Sequence, residues 1–353
     1  MQQQADVNTK LVSALKEYWY IAARATELRS RPLARTVLGV PLVLFREADG
    51  KAAALIDRCA HRNMALSRGR VCHGTVECSY HGWRYRGDGT CVEIPSMANG
   101  AAEPANVKVQ SFPTAERDGF VWVYMGSSAP AGPPRAFPHY GDREWTTFTM
   151  ETRFEASAFA CLENFLDCPH TVFVHTTWFR SRAASEVRAR VRRRNDGVDV
   201  EFFNERDAQS VVSRLLFPAD KKMVHTDRFL MPTTSRVDYS FGADRHFIIT
   251  SQCTPVSESE TEVYTVVTFR FGRIGWLVRL LFAPLARRII AQDVKVLKAQ
   301  TEQLRRFGAA EFTFVKSDLV GPHIWELWQG AARNGGDRPR ARTEEETEVI
   351  LRF

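Results

Sequence analysis

The chain has 353 residues, more than one ordinary core accommodates, so two domains are expected. Its 44% hydrophobic and 25% charged residues have the balance of a globular protein. There is no run of about 18 uncharged apolar residues to span a membrane, and the polar stretch 1–10 lacks the apolar run of a secretory signal, so a cytoplasmic protein is expected. The cysteines number seven, an odd count that argues against a disulfide framework and for reduced thiols, some of them metal ligands. The formal charge of +7 suits an acidic partner, an anionic substrate or simple solubility.

Along the chain, residues 12–20 predict a short helix. Short β segments follow at 36–45, 52–56, 75–77, 83–85 and 120–125, punctuated by Asp49-Gly50, Asp88-Gly89 and Asp118-Gly119, dipeptides that suit tight β connections. This predicts a small all-β domain over 15–130. Residues 126–138, rich in Gly, Ser and Pro, read as a linker.

A second domain over 140–330 is expected to be α+β, an antiparallel sheet with helices against it. Strands are predicted at 145–154, 198–203, 210–217, 224–230, 235–241, 246–254 and 262–271. An interrupted helix is predicted at 158–177, and a largely helical stretch at 274–307 with a break at Pro284. The run 188–194 (RARVRRR) has no interleaved aromatic platform, so it predicts a solvated basic strand or loop, and no nucleic-acid partner is expected. Residues 331–353 read as a charged, loosely held tail with a short helix at 344–351.

Two constellations carry chemistry. The first is Cys59-Ala-His61 and Cys78-Ser-Tyr-His81, separated by 16 residues, each just after a β segment. Two thiolates and two imidazoles hold either zinc or an iron–sulfur cluster. Zinc fingers usually place both cysteines before both histidines. Here each loop supplies one of each, which suits a two-iron cluster whose histidines share one iron.

The second is Asn164-x2-Asp167-x2-His170-x4-His175 together with Asp293 far downstream. Five residues turn an ideal helix through roughly 500°, so His170 and His175 do not share a helical face. Pro169, just before His170, distorts the helix near this point and leaves two readings: two converging ligands, or two unrelated histidines. Asp293 falls on an apolar stripe with Ile289, Ile290, Val296, Leu297 and Leu304, where an ionised carboxylate needs a salt bridge or a metal. Two histidines and a carboxylate form the facial triad of non-haem iron sites.

The surroundings of the first set, Cys59-Ala-His61-Arg62 with Leu66 and Cys78-Ser-Tyr-His81-Gly82-Trp83-Arg-Tyr85, resemble the cluster-binding loops of the Rieske oxygenases. The second set is similar to the iron-binding motif of that family's α (terminal oxygenase) subunit. The resemblance covers roughly 15–330 and is weaker over 181–272. It implies a [2Fe-2S] cluster on Cys59, His61, Cys78 and His81, and an antiparallel helix-grip catalytic domain. It further implies a mononuclear Fe(II) on His170, His175 and Asp293, with Asn164 beside the iron. By the same resemblance Asp167 bridges His170 to the cluster histidine His81 of a neighbouring subunit, which implies a head-to-tail homotrimer.

The chain lacks a flavin or nicotinamide fingerprint and a plant-type ferredoxin cysteine run, so electrons come from a separate reductase, with or without a ferredoxin. The compact chain resembles the single-subunit demethylases and hydroxylases. The expectation is therefore monooxygenation, as hydroxylation or oxidative demethylation of a small aromatic or polycyclic substrate. The alternatives are cis-dihydroxylation, oxidative cyclisation and desaturation. Leu162, Phe165, Leu166, Phe229, Ile249 and Gln252 are the substrate-pocket candidates. His73, His139, His225, His246 and His323 are expected to be structural or exposed, and Cys72, Cys91, Cys161, Cys168 and Cys253 ordinary thiols. Residues 274–290 are basic and amphipathic, predicting a helix packed on the second domain, with a membrane-surface role as the alternative.

Overall fold

The computed structural model describes residues 15–97, 107–175, 186–203, 223–242, 245–308, 312–333 and 345–352. Two compact units divide the described residues: 16–136, and residue 15 with those from 137 onward.

The first unit is all β. Its strands are β1 (Trp19–Arg24), β2 (Leu33–Val37), β3 (Val40–Arg46), β4 (Ala52–Ile56), β5 (Arg70–Cys72), β6 (Thr75–Glu77), β7 (Arg84–Tyr85), β8 (Cys91–Glu93), β9 (Ser111–Phe112), β10 (Thr114–Arg117) and β11 (Phe120–Tyr124). They form three antiparallel sheets, ordered β1-β11-β10, β2-β3-β4-β9 and β5-β6-β7-β8. The segment expected as one strand over 36–45 is a hairpin. Leu38 and Gly39 both adopt positive φ, the two-residue turn whose twist matches its flanking strands. The helix expected at 12–20 is also overturned: Trp19 and Tyr20 lie in β1, paired with Tyr124 and Val123, because their aromatic rings fill a half-buried pleated surface. Residues 12–14 lie outside the described residues. The Gly/Ser/Pro stretch after β11 is tied down, with Trp19 Nε1 donating to Gly132 O at 2.8 Å and Ser127 N to Glu17 Oε1 at 2.8 Å.

The second unit is built on an antiparallel sheet of eight strands: β12 (Thr146–Phe154), β13 (Glu186–Arg194), β14 (Gly197–Phe203), β15 (Met223–Leu230), β16 (Thr234–Phe241), β17 (Arg245–Ser257), β18 (Glu260–Arg270) and β19 (Glu345–Arg352), in the order β12-β18-β17-β16-β15-β14-β13-β19. The helices are α1 (Ala158–Leu166), α2 (His170–Val174), α3 (Gly275–Phe307) and α4 (Gly321–Arg333). The strand expected at 210–217 lies outside the described residues.

Helix α3 runs unbroken through Pro284, contrary to the expected break. Its inner side carries Val278, Phe282 and Ala286 into a core with Phe148, Phe247 and Phe269, and this packing outweighs the one missing backbone bond. Further along, Asp293, Leu297 and Thr301 are buried, whereas Val296, expected on the same stripe, faces solvent. Trp276, Leu277, Leu280 and Leu281 lie on the outer side and are exposed. Among the described residues no helix is long and apolar enough to cross a membrane.

The charged C-terminal stretch is not a loose tail over 345–352. Instead of a helix at 344–351, Glu345–Arg352 adds an edge strand beside β13. The arginine run is thereby answered by glutamates in register, with Arg190 within 2.9 Å of Glu348 and Arg192 within 3.1 Å of Glu346. Leu351 pairs with Val187 and is buried. The exposed ion pairs supply register and charge cancellation, each worth under about 1 kcal/mol, while the buried leucine supplies the adhesion. Leu351→Ala should lower stability by about 2–4 kcal/mol in urea unfolding. Glu346→Gln should change it by less than about 1 kcal/mol, an effect that fades at high salt.

Candidate metal centres

The first unit presents two loops of the same build. Cys59 N donates to Met64 O at 2.8 Å and Cys78 N to Trp83 O at 2.8 Å; Asn63 N and Gly82 N return to the cysteine carbonyls at 3.0 Å each. Each loop turns at a residue of positive φ, Asn63 or Gly82. At Gly82 a Cβ would come within 2.9 Å of the Pro95 ring, so only glycine fits without a shift.

These loops bring all four candidate ligands together with a gradient of burial. Cys59 and Cys78 sit in a core of Val43, Phe45, Leu55, Leu66, Val76 and Tyr85. His61 is half-buried and His81 exposed, their rings 4.5 Å apart. Trp83 stacks on His61 at 4.6 Å, and Tyr80 lies against His81 at 3.9 Å. Behind the cysteines, the Tyr85 hydroxyl lies 3.3 Å from Cys59 Sγ. Burial and the neighbouring Cys59 thiol hold the Tyr85 phenol protonated well above its usual range, so it is a hydrogen-bond donor to a thiolate. Burial, with Cys59 alongside, also raises Cys78.

Two adjacent buried thiols ionise together only with a cation between them, and His61 Nδ1 is buried without a hydrogen-bond partner. The donor set fits a cluster held by sulfur on the buried side and nitrogen on the exposed side.

In the second unit, Ser157 caps α1 by accepting from Ala160 N at 3.1 Å. The helix ends at Asp167, where Pro169 follows two residues on and the chain turns extended. Asp167 Oδ2 then accepts the His170 N–H at 3.0 Å and starts the short α2. The spacing problem is resolved at the other end of α2: the helix stops at Val174 and His175 leaves helical backbone (φ −111°, ψ 38°), its ring 5.2 Å from that of His170. His170 Nδ1 contacts the Asp167 carbonyl oxygen. The Gln292 Oε1 oxygen only accepts, so His175 Nδ1 donates to it at 2.8 Å, and the neutral ring in this tautomer has its lone pair on Nε2.

Both Nε2 atoms point at one oxygen, Asp293 Oδ1, which lies 3.1 Å from His175 and 3.7 Å from His170. That oxygen is buried and has no hydrogen-bond partner. The three ligand atoms lie within 4.8 Å of one another. Burial works against a charged His170, yet Asp167 and Asp293 lift its pKa above the ordinary value, so the site attracts positive charge. Two imidazoles and one carboxylate fit a mononuclear iron with positions left open. Asn164, on α1, has a buried Oδ1 without a hydrogen-bond partner.

Several contacts emerge only from the structure. Gln292 orients His175, Tyr85 backs Cys59, and Glu163 is pushed up to about 7 by burial and by Asp167 and Asp318 nearby. Cys168 and His225, expected to be an ordinary thiol and a structural or exposed histidine, meet at Asp227 in a buried cluster. The pocket candidates divide. Leu162 and Leu166 are buried on α1, and Phe165 packs edge-on against Phe154 at 5.6 Å. Phe229 and Ile249 lie on the helix-facing side of the sheet, as does Phe247, by alternation along paired strands. Gln252 is turned to the opposite side, where it bonds Thr233 and Thr254.

Two such ligand sets, on a small β unit followed by a sheet-and-helix unit, define a two-centre iron protein. A family model for the Rieske [2Fe-2S] domain matches residues 18–113, and one for the vanillate O-demethylase oxygenase C-terminal domain matches 154–323. The chain belongs to the Rieske oxygenases, whose oxygenase domain uses a mononuclear iron.

It is 39% identical over 164 residues to the oxygenase component of dicamba O-demethylase from Stenotrophomonas maltophilia, covering 46% of this chain and 48% of that one. A putative toluene-4-sulfonate monooxygenase iron-sulfur subunit from Comamonas testosteroni is 37% identical over 185 residues, 52% of this chain and 53% of the relative. The matched segments thus span about half the length of these relatives. The crystal structure of dicamba monooxygenase bound to dicamba superposes with a TM-score of 0.77 at 24% identity, covering 91% of this chain and 98% of that one, and shows the same fold.

Metal and sulfide analysis separates the two centres. The intact chain should be brown, with three iron and two sulfide. Cys59→Ala should retain the mononuclear iron alone, and Asp293→Ala should retain two iron, both sulfides and the visible spectrum. Glu163→Gln tests the raised carboxyl. Ionising Glu163 disfavours the fold, so stability that is full below about pH 4.5 is lost as pH rises through about 7. The glutamine variant should therefore melt higher than the parent at pH 8, by an amount equivalent to about 1–3 kcal/mol, and alike at pH 4.5.

Proposed function

We propose that the chain is a terminal oxygenase that uses O2 and externally supplied electrons to monooxygenate a small aromatic or polycyclic substrate, by hydroxylation or oxidative demethylation. The observation that carries this is the convergence of His170 and His175 Nε2 on the unpartnered Asp293 oxygen, in a domain of the vanillate O-demethylase type. Dicamba O-demethylase and the toluenesulfonate monooxygenase subunit support the same reaction class.

Cys59, Cys78, His61 and His81 would hold the cluster, and His170, His175 and Asp293 the mononuclear iron; when bound, these groups supply single electrons and oxygen activation. Tyr85 stabilises the Cys59 thiolate by hydrogen bonding, and Trp83 shields the His61 side from water. Gln292 and Asp167 hold the His175 and His170 rings with Nε2 forward. Asn164 would present its amide oxygen beside the iron. Phe229 and Ile249, on the helix-facing side of the sheet, are suited to an apolar substrate.

Electrons would arrive from a separate reductase, directly or through a ferredoxin, and leave the cluster at its exposed His81 end. Asp167, with a quarter of its side chain exposed, would accept from His81 of the partner subunit while holding His170. That arrangement makes the active unit a head-to-tail ring, a homotrimer. A domain organisation of 15–130 for the cluster and 140–330 for the iron goes with this reading. Seven cysteines without a disulfide support a reducing, cytoplasmic setting.

Oxygen uptake with a generic reductase, across aromatic ethers, N-methyl compounds, polycyclic alkaloids and sterols, tests the reaction. Products gaining one oxygen or losing a methyl are expected, and a cis-diol as the main product overturns monooxygenation. Asp167→Asn should keep both metal centres and lose coupled turnover by about 10- to 100-fold. Full activity in that variant removes the bridging role.

A further inference from the structure

Beside the iron site lies a second buried constellation that the proposed reaction does not use. His225, Asp227 and Cys168 are all buried, and their ligand-type atoms lie within 4.8 Å of one another. On β15, residues 225 and 227 project to the same side, and both belong to cross-strand rows. His225 is sandwiched between Phe202 of β14 at 4.5 Å and Tyr239 of β16 at 4.4 Å, with both rings nearly parallel to it. Asp227 is flanked in register by Val200 and Val237, an apolar setting that an ionised carboxylate does not tolerate without donors.

The donors are present. Asp227 Oδ1 lies 2.9 Å from His225 Nε2, and Asp227 Oδ2 lies 3.5 Å from Cys168 Sγ. The carboxylate only accepts, so the imidazole N–H and the thiol S–H both donate to it. This distinguishes the cluster from the iron site, which has a similar spread of ligand atoms: Asp293 Oδ1 has no hydrogen-bond partner, whereas both Asp227 oxygens have one. The chemistry fits a hydrogen-bonded lock better than a third metal site.

Cys168 ties Asp227 to the segment that carries the iron ligands. It precedes His170 by two residues, and its carbonyl accepts Thr171 Oγ1 at 2.7 Å and Thr171 N at 3.2 Å, starting α2. That helix has five residues, too few to hold its own shape, and Pro169 gives its start no N–H. The direction of His170 therefore depends on what anchors the Asp167–His170 turn to the rigid sheet.

The geometry points to Cys168–Asp227–His225 as that anchor: Asp227, held square by His225, pins the Cys168 thiol and so sets where α2 presents His170 to the iron. All three are positioning residues, and the inference rests on the proposed His170, His175, Asp293 site.

The test uses the full chain with both centres loaded. Mononuclear iron is measured after dialysis against a graded chelator, and its geometry by electron paramagnetic resonance with nitric oxide as the probe. The visible spectrum of the cluster serves as an internal control for folding. Cys168→Ala should weaken iron retention by about tenfold or more and alter the nitric oxide signal, with the cluster spectrum unchanged. Cys168→Ser, which keeps a donor, should restore most of both, and Asp227→Asn should behave like Cys168→Ala even if Asp227→Ala fails to fold.

Unchanged iron retention and signal in Cys168→Ala overturns the lock, as does equal loss in the alanine and serine variants. A further metal ion in the parent chain, lost in Asp227→Asn, also overturns it and makes the cluster a metal site. A parent chain that binds no iron beyond the cluster removes the proposed iron site itself, a failure distinct from the others.

Discussion

A buried carboxylate oxygen with no hydrogen donor is among the most costly features a fold can keep, and Asp293 Oδ1 is one. Much of the second unit is arranged around it. Helix α3 delivers Asp293 on its buried side, with Gln292 one residue earlier turned toward His175. The break at Asp167–Pro169 starts a new short helix, and His175 leaves it at its C-terminal end, so two histidines that a continuous helix would separate both face that oxygen with Nε2. Each Nδ1 is held from behind, so the lone pairs are aimed before any ion arrives. An isolated Asp or His at this depth would lose its charge or unfold its surroundings. A divalent cation turns the same three groups into a favourable set.

The first unit solves the corresponding problem for sulfur. Its two thiols are enclosed in the core and its two imidazoles are turned outward, so one object is anchored on its buried side and reachable on the other. The two loops reach this by the same backbone device, a cysteine N–H and carbonyl closing on residues five and four further along. Ion pairs stiffen the base: Glu77 takes Arg70 at 2.7 Å and Arg84 at 2.8 Å, and Arg84 continues to Glu93 at 2.6 Å. These pairs join β5, β6, β7 and β8 beneath the two loops.

Pairing between distant segments also decides what the surface charge means. The run 188–194 reads in isolation as an unusually basic strand. In the sheet its arginines face Glu346 and Glu348 from the far end of the chain. The two most charged stretches of the second unit largely cancel, which removes them as a binding surface and gives the sheet a polar edge less prone to aggregation.

Most of the two candidate sites is legible in the sequence because metal ligation is a matter of residue type and local spacing. Cys59, His61, Cys78 and His81 declare a mixed sulfur and nitrogen site, and Asp293 stands out as a charge on an apolar stripe. The strand pattern of the second unit was visible for the same local reason, alternation along each segment. What stayed hidden depends on which segments meet. Leu38-Gly39 does not carry the usual turn residues, so its hairpin leaves no local signal. Val296 and Gln252 were placed by type, but the helix and strand turn them to the other side. The tail became a strand because β13 had an open edge with matching charge and apolar residues. His225 and Cys168 carry no motif at all, and only the sheet brings Asp227 between them. The sequence by itself determined the ligand types and the class of metal centre. Tertiary structure alone decided the partners of those ligands, because burial and hydrogen bonding between residues more than fifty apart leave no mark on local spacing.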